Sequence, residues 1–271
     1  MSSASATRAA STAAEHDTRV LARYVAAVTA LGLFAIAQSV TTLITVPRVA
    51  EWLLLSVLAV AFGRLSVRVP GVPVHASMSD TFLFTSAMLF GPAPATVAMA
   101  ADGFILSWRR GHSADRMLFN AANPALSLWL GAQAFLAVYG ATPLAAQAVS
   151  LDTIVGPLAL MAGVHFLLTS SLTATAAALE RGLRPFDVWR RHFAVLGVSH
   201  AASASAALVL ALLVGKLGVL ALAAVAPLVV IVYIGLQSRF GRLADAEQHV
   251  KQVDQLYMST CLLYTSDAAD E

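Results

Sequence analysis

Apolar residues in this chain fall in long unbroken runs, not at helical or strand spacing, and several runs are long enough to cross a bilayer. A spanning helix needs about 20 mostly apolar residues. Runs of that kind cover Tyr24–Val46, Met117–Val138, Ile154–Ala178, Phe193–Val214 and Leu217–Leu236. Val49–Gly63 is shorter, and tilt or its flanking residues complete the crossing. Thr81–Phe90 and Ala95–Trp108 are separated by Gly91-Pro92-Ala93-Pro94, whose two prolines break a helix. That pair reads as two tight spans or as a re-entrant hairpin, and either returns the chain to the side it came from. The expected fold class is all-α: a polytopic transmembrane helical bundle of eight spans, or six plus a re-entrant hairpin, followed by a C-terminal cytoplasmic helix. The transmembrane domain so drawn covers residues 24–236.

The segments outside the runs differ in character. Residues 1–23 precede the first run, and Met1–Arg19 is rich in Ser, Ala and Thr with no periodic apolar face, which predicts a disordered cytoplasmic tail. Arg23 ahead of an apolar stretch, with Ala35-Ile36-Ala37 behind it, has the look of a signal peptide. The apolar character continues to Val46, however, and favours an uncleaved first helix. Leu65–Ser79 alternates apolar and polar residues on both sides of Pro70-Gly71-Val72-Pro73, which reads as a small β-hairpin at the cytoplasmic interface or as a plain loop. Gln237–Thr260 is polar and free of proline. Leu243, Val250 and Tyr257 recur every seven residues, and Ala246 and Val253 complete an a/d seam. The seam predicts a helical stalk and, through it, a homodimer.

Composition agrees with the bilayer as main solvent. The chain is 58% hydrophobic and only 12% charged, with a mean hydropathy of +0.75, whereas a soluble domain carries about a quarter charged residues. A net charge of +2 gives no footprint for nucleic acid. Placement of the charges says more than their sum. The layout puts fifteen of the 17 basic residues in cytoplasmic segments and leaves only Arg48 and Lys216 outside. That bias supports the number of crossings and sets both termini on the cytoplasmic side of a bacterial inner membrane.

The last eleven residues, Cys261–Glu271, stand apart. Their sequence, Cys-Leu-Leu-Tyr-Thr-Ser-Asp-Ala-Ala-Asp-Glu, reads codon for codon as translated transposase-type sequencing adapter. On that reading the natural chain is interrupted at about Thr260, and the single cysteine, Cys261, belongs to the adapter. With it goes any thiol chemistry.

No phosphate-binding glycine loop, paired-histidine zinc motif or nucleophile elbow occurs, so no catalytic residue is expected in this segment. The candidates for chemistry are polar residues inside apolar runs, where lipid makes them costly. Asp102, in Ala101-Asp102-Gly103, suits a bound cation, a proton relay or a hydrogen-bonding partner on a neighbouring helix. Asn120 and Asn123 lie one helical turn apart beside Pro124, and either line a ligand pocket or cross-link helices. His165 and His200 fall in two neighbouring antiparallel runs. Two imidazoles suit a haem or another metal, but their depths match only loosely and no further ligand is legible, so hydrogen bonding between helices is the expected role and no metal site is assigned. Small residues over Ser199–Ala207 allow close helix packing.

The order of parts is also suggestive: a Pro/Gly stretch, Leu89-Phe90-Gly91-Pro92, an Arg-bearing loop, Phe119-Asn120-Ala121-Ala122, then Gln255-Leu256-Tyr257-Met258-Ser259-Thr260 at the end of a polar helix. This resembles the N-terminal membrane module of bacterial HD-GYP-type signalling proteins, and similar modules precede GGDEF cyclases and sensor kinases. The resemblance implies a sensor or anchor for a small-molecule signal. It places a cyclic di-GMP phosphodiesterase domain beyond Thr260, with metal ions held by His and Asp residues of that domain and no cofactor in the present segment. The competing expectation is a membrane transporter or substrate-binding membrane subunit, because broken helices near Gly91–Pro94 and Asn123–Pro124 flank Asp102.

Overall fold

Among the described residues the apolar runs are helices. A computed structural model describes residues 3–43, 46, 48–63, 67–68, 75–76, 79–140, 151–225, 227, 231 and 234. In chain order the elements are α1 (Ser3–Thr42), α2 (Val49–Gly63), β1 (Val67–Arg68), β2 (His75–Ala76), α3 (Ser79–Phe90), α4 (Pro92–Arg109), α5 (Ala114–Tyr139), α6 (Leu151–Arg181), α7 (Pro185–His192) and α8 (Leu196–Leu217). The only strands among the described residues form a two-residue antiparallel ladder pairing Val67 with Ala76 and Arg68 with His75. The hairpin reading of Leu65–Ser79 is therefore the one that holds. Past Gly218 the chain is again helical over residues 219–225, the start of the last apolar run. The stalk Gln237–Thr260 and the adapter-like Cys261–Glu271 lie outside the described residues.

The exterior is apolar as well as the core, and polar side chains are buried within that core. Large apolar side chains cover the outer surface, among them Leu31, Phe34, Leu53, Val57, Trp108, Val138, Leu167, Val198 and Val209. The buried set includes Asp80, Thr85, Ser86, Asp102, Asn123, Ser127 and His165. Water would not leave such a surface bare, and hydrocarbon favours it. Four helices (α5, α8 and the major parts of α1 and α6) are long and apolar enough to cross a membrane. This is a helical membrane protein.

At the centre sits α3, buried at every position except Thr81. Twelve residues reach about 18 Å, well short of a hydrocarbon core of about 30 Å. It is enclosed by α2, α4 and α8. Packing around it uses small residues and aromatic side chains together: Phe62 stacks on Phe82, and the Thr85 hydroxyl donates to the Ala207 carbonyl of α8 at 3.3 Å. Ser203, Ala204, Ala207 and Ala211 are buried, so the small-residue stripe expected around Ser199–Ala207 does serve close packing within the chain. Elsewhere α1 lies on α4, α5 and α6, and its Tyr24 hydroxyl donates to the Leu172 carbonyl at 3.0 Å. Trp52 of α2 donates its indole N–H to the Pro94 carbonyl at 3.0 Å.

Three expectations need correction. Helix α1 begins at Ser3, so most of the segment expected as a disordered tail is helical. Its alanines are the reason: alanine carries the highest intrinsic helix propensity, and a formed helix downstream removes the nucleation cost. Second, the break between α3 and α4 falls at Gly91 alone, which has φ 89°, a region where only glycine is unstrained. Pro92 and Pro94 occupy the first turn of α4, where the missing N–H groups would have had no helical partner anyway. Third, α7 lies between the runs Ile154–Ala178 and Phe193–Val214, where no helix was expected. Val188 of α7 is buried against Ala174 and Ala178, and the Trp189 indole donates to Ser170 at 2.8 Å.

Candidate functional site

That third correction builds the site. Arg181 ends α6, yet Trp189 already reaches Ser170, so α7 runs back along the last turns of α6. The chain then enters α8 well below the end of α6. His200, little more than a turn into α8, thereby meets His165 near the middle of α6, with ring centroids 5.5 Å apart. The loose match in depth expected from a simple helical hairpin is overturned.

Both imidazoles converge on a residue of α3 that the sequence reading left out. His200 Nδ1 lies 2.9 Å from Asp80 Oδ2. The contact is close enough for an ion pair, but it is out of line for a straight hydrogen bond, and Nδ1 of His165 is buried with no hydrogen-bond partner. Asp80 directly precedes the apolar run drawn from Thr81, where an acid reads as an ordinary helix-start residue favoured by the dipole. Its burial among α3, α6 and α8 is a tertiary fact. Aromatic edges hold the two rings: Phe84 meets His165 edge-on at 5.4 Å, and Phe166 meets His200 at 5.3 Å.

Asp102 enters from α4. Its carboxylate accepts a hydrogen bond from the Ser79 hydroxyl, next in sequence to Asp80. It also presses so closely on Gly63, the last residue of α2, that a Cβ there would overlap Oδ1. Asn120 and Asn123 of α5 face the same space but bond to opposite neighbours. Asn120 donates to Ser107 Oγ of α4 at 3.0 Å, and Ser107 Oγ in turn is 2.8 Å from His112 Nδ1. Asn123 donates to Thr173 Oγ1 of α6 at 2.9 Å and to the Thr169 carbonyl at 3.3 Å. Helix cross-linking, the expected role of these amides, is therefore present, and both also line a void.

All five residues singled out in the sequence, Asp102, Asn120, Asn123, His165 and His200, border one cavity of about 310 Å³, together with Asp80. Arg110 and His112, in the turn between α4 and α5, stand at its exposed end. Besides Asp80, the sequence reading missed Ser79, Ser107 and Thr173. Hydroxyls in a helix usually bond back to their own backbone, as Thr85 and Thr96 do here, so nothing in the chain marked these as cavity residues.

No family model matches the chain, and no curated protein matches it. Among solved structures, the S component of a bacterial ECF transporter is similar at 14% identity, with a TM-score of 0.46, over 60% of this chain and 92% of that one. A likeness of that size assigns neither fold nor function.

Proposed function

We propose that this membrane protein binds a small polar solute in the cavity among α3, α4, α5, α6 and α8, as a transporter or a substrate-binding membrane subunit does. One observation carries the reading: two carboxylates, two imidazoles and two amides from five helices converge on a single void inside a bundle with an apolar exterior. Polar groups that merely cross-link helices pair off and close the space between them. Here a buried imidazole nitrogen is left without a partner beside open volume. The volume lies at the small end of the range for small-molecule sites, roughly 300–1,000 Å³. By the charge bias, the turn at the exposed end, with Arg109, Arg110 and Arg116 around it, belongs to the cytoplasmic face of an inner membrane. The cavity would then be loaded from, or emptied to, the cytoplasm.

The test is thermal unfolding of the protein in lipid nanodiscs against a panel of amino acids, polyamines, short carboxylates and nucleosides. A solute at a hundred times its Kd should add about 2.7 kcal/mol of stability. Asp102→Asn and Asn120→Ala should abolish the shift. No shift across the panel, or a shift untouched by both substitutions, would remove the reading.

A second reading is favoured by the a/d seam over Gln237–Thr260, which a transporter does not need. On it, the same cavity is the input of a signalling protein, and its final helices pass a ligand-dependent change to an HD-GYP or related output domain. A long read of the source DNA across codon 260 decides between the two. An open frame encoding an HD pair and a later Gly-Tyr-Pro supports the signalling module; an early stop codon leaves transport.

A further inference from the structure

We infer that Asp80, His165 and His200 form a binding site for a divalent transition-metal ion of the zinc class, with its open coordination positions facing the cavity. The inference deepens the cavity reading and rests on it. The three residues come from α3, α6 and α8, and one donor atom from each lies within 4.8 Å of the other two. Donors around a tetrahedral zinc at Zn–N of about 2.0 Å are about 3.3 Å apart. The donors therefore have to draw together by no more than about 1.5 Å to close on an ion.

The donor chemistry is selective. Two neutral imidazoles and one carboxylate suit zinc, nickel or cobalt, whereas calcium and magnesium take oxygen. Three protein ligands leave at least one position open, as in metal sites that bind an exchangeable molecule. The lining of the cavity supplies what a solute on that position would meet: Asp102, Asn120 and Asn123.

Two further observations separate this site from a plain ion pair between α3 and α8. The first is the unpartnered Nδ1 of His165, whose residue is only 2% exposed. A buried nitrogen without a partner is costly, and a metal bond to it would relieve that cost. The second is the second carboxylate. Asp80 and Asp102 share one low-dielectric cavity, and a dication there offsets both where a single imidazolium offsets one. Phe84 and Phe166 hold the rings edge-on, so the donors are already partly oriented.

The test uses the full chain purified through a tag free of histidine, stripped with chelator and placed in nanodiscs. Loaded with Zn²⁺ and desalted, it should keep about one zinc per chain by elemental analysis. Co²⁺ in its place should show the intense visible bands of low-coordinate cobalt, a readout on the unmutated chain that depends on no variant folding. His165→Ala, His200→Ala and Asp80→Asn should each weaken zinc binding on the order of a hundredfold. His192→Ala, on α7 and outside the cavity, should leave it unchanged. Loss of zinc on desalting of the unmutated chain, or retention by all three variants, overturns the site. The solute panel, run on both the stripped and the zinc-loaded protein, separates the two readings. Solute binding without zinc binding overturns the metal site and leaves the cavity; zinc binding with no solute bound by either form supports the metal site and removes the solute.

Discussion

Asn123 donates both amide hydrogens across to α6, and its own carbonyl accepts from Ser127 at 2.9 Å. Replacing it with alanine leaves the Thr169 carbonyl and Thr173 hydroxyl to their intrahelical bonds and opens space beside the cavity. The expected cost is about 1 kcal/mol, read as earlier thermal unfolding in detergent. Asn123 was legible because an amide in an apolar run is expensive, whatever it does there. The same reasoning found Asp102, Asn120, His165 and His200. It failed for Asp80, since an acid just ahead of an apolar run is commonplace at a helix start, and only the packing of α6 and α8 over that start takes it out of water.

Between elements, close approach depends on particular glycines. A Cβ on Gly103 would overlap the Asn120 carbonyl of α5, and one on Gly131 would sit 2.7 Å from the Met161 carbonyl of α6. Backbone atoms cannot rotate away as side chains can. Gly103→Val should therefore push α4 off α5 and displace both Asp102 and the Ser107–Asn120 bond. Loss of more than about 3 kcal/mol, or failure to give a single peak on size exclusion, is the expected outcome. Gly103→Ala should show the same defect in milder form. Helix existence was plain from run length, and most ends fell within a few residues of their predicted positions. The exceptions have local causes. Prolines in a first turn continue a helix that prolines in an interior would break, and α7, short and polar, has no apolar run to announce it.

For the whole molecule, the bilayer decides the layout. An exterior of exposed large apolar side chains is stable only in lipid, so the protein should stay with the membrane pellet through alkaline carbonate extraction. The charge bias predicts its orientation. A green fluorescent protein fused after residue 236 should fluoresce, and an alkaline phosphatase inserted beside Arg48 should be active, because that loop is expected outside. Activity of a phosphatase fused after residue 236 would reverse the assignment and turn the exposed end of the cavity outward.

Fold class, the position of nearly every described helix and five of the polar residues that border the cavity were written in the chain itself, because lipid makes hydrophobicity of a run and polarity within it nearly self-interpreting. Which of those polar residues meet is another kind of fact. His165 and His200 are 35 positions apart in sequence and reach each other only because α7 folds back along α6. Asp80 joins them because α3, too short to span, is packed into the middle of the bundle. Pairwise distance between distant positions depends on how helices cross and where the chain turns, and those are set by many weak contacts at once. Periodicity along a single chain does not carry that information, and the tertiary structure alone brought five scattered polar residues and one overlooked aspartate to the border of one cavity.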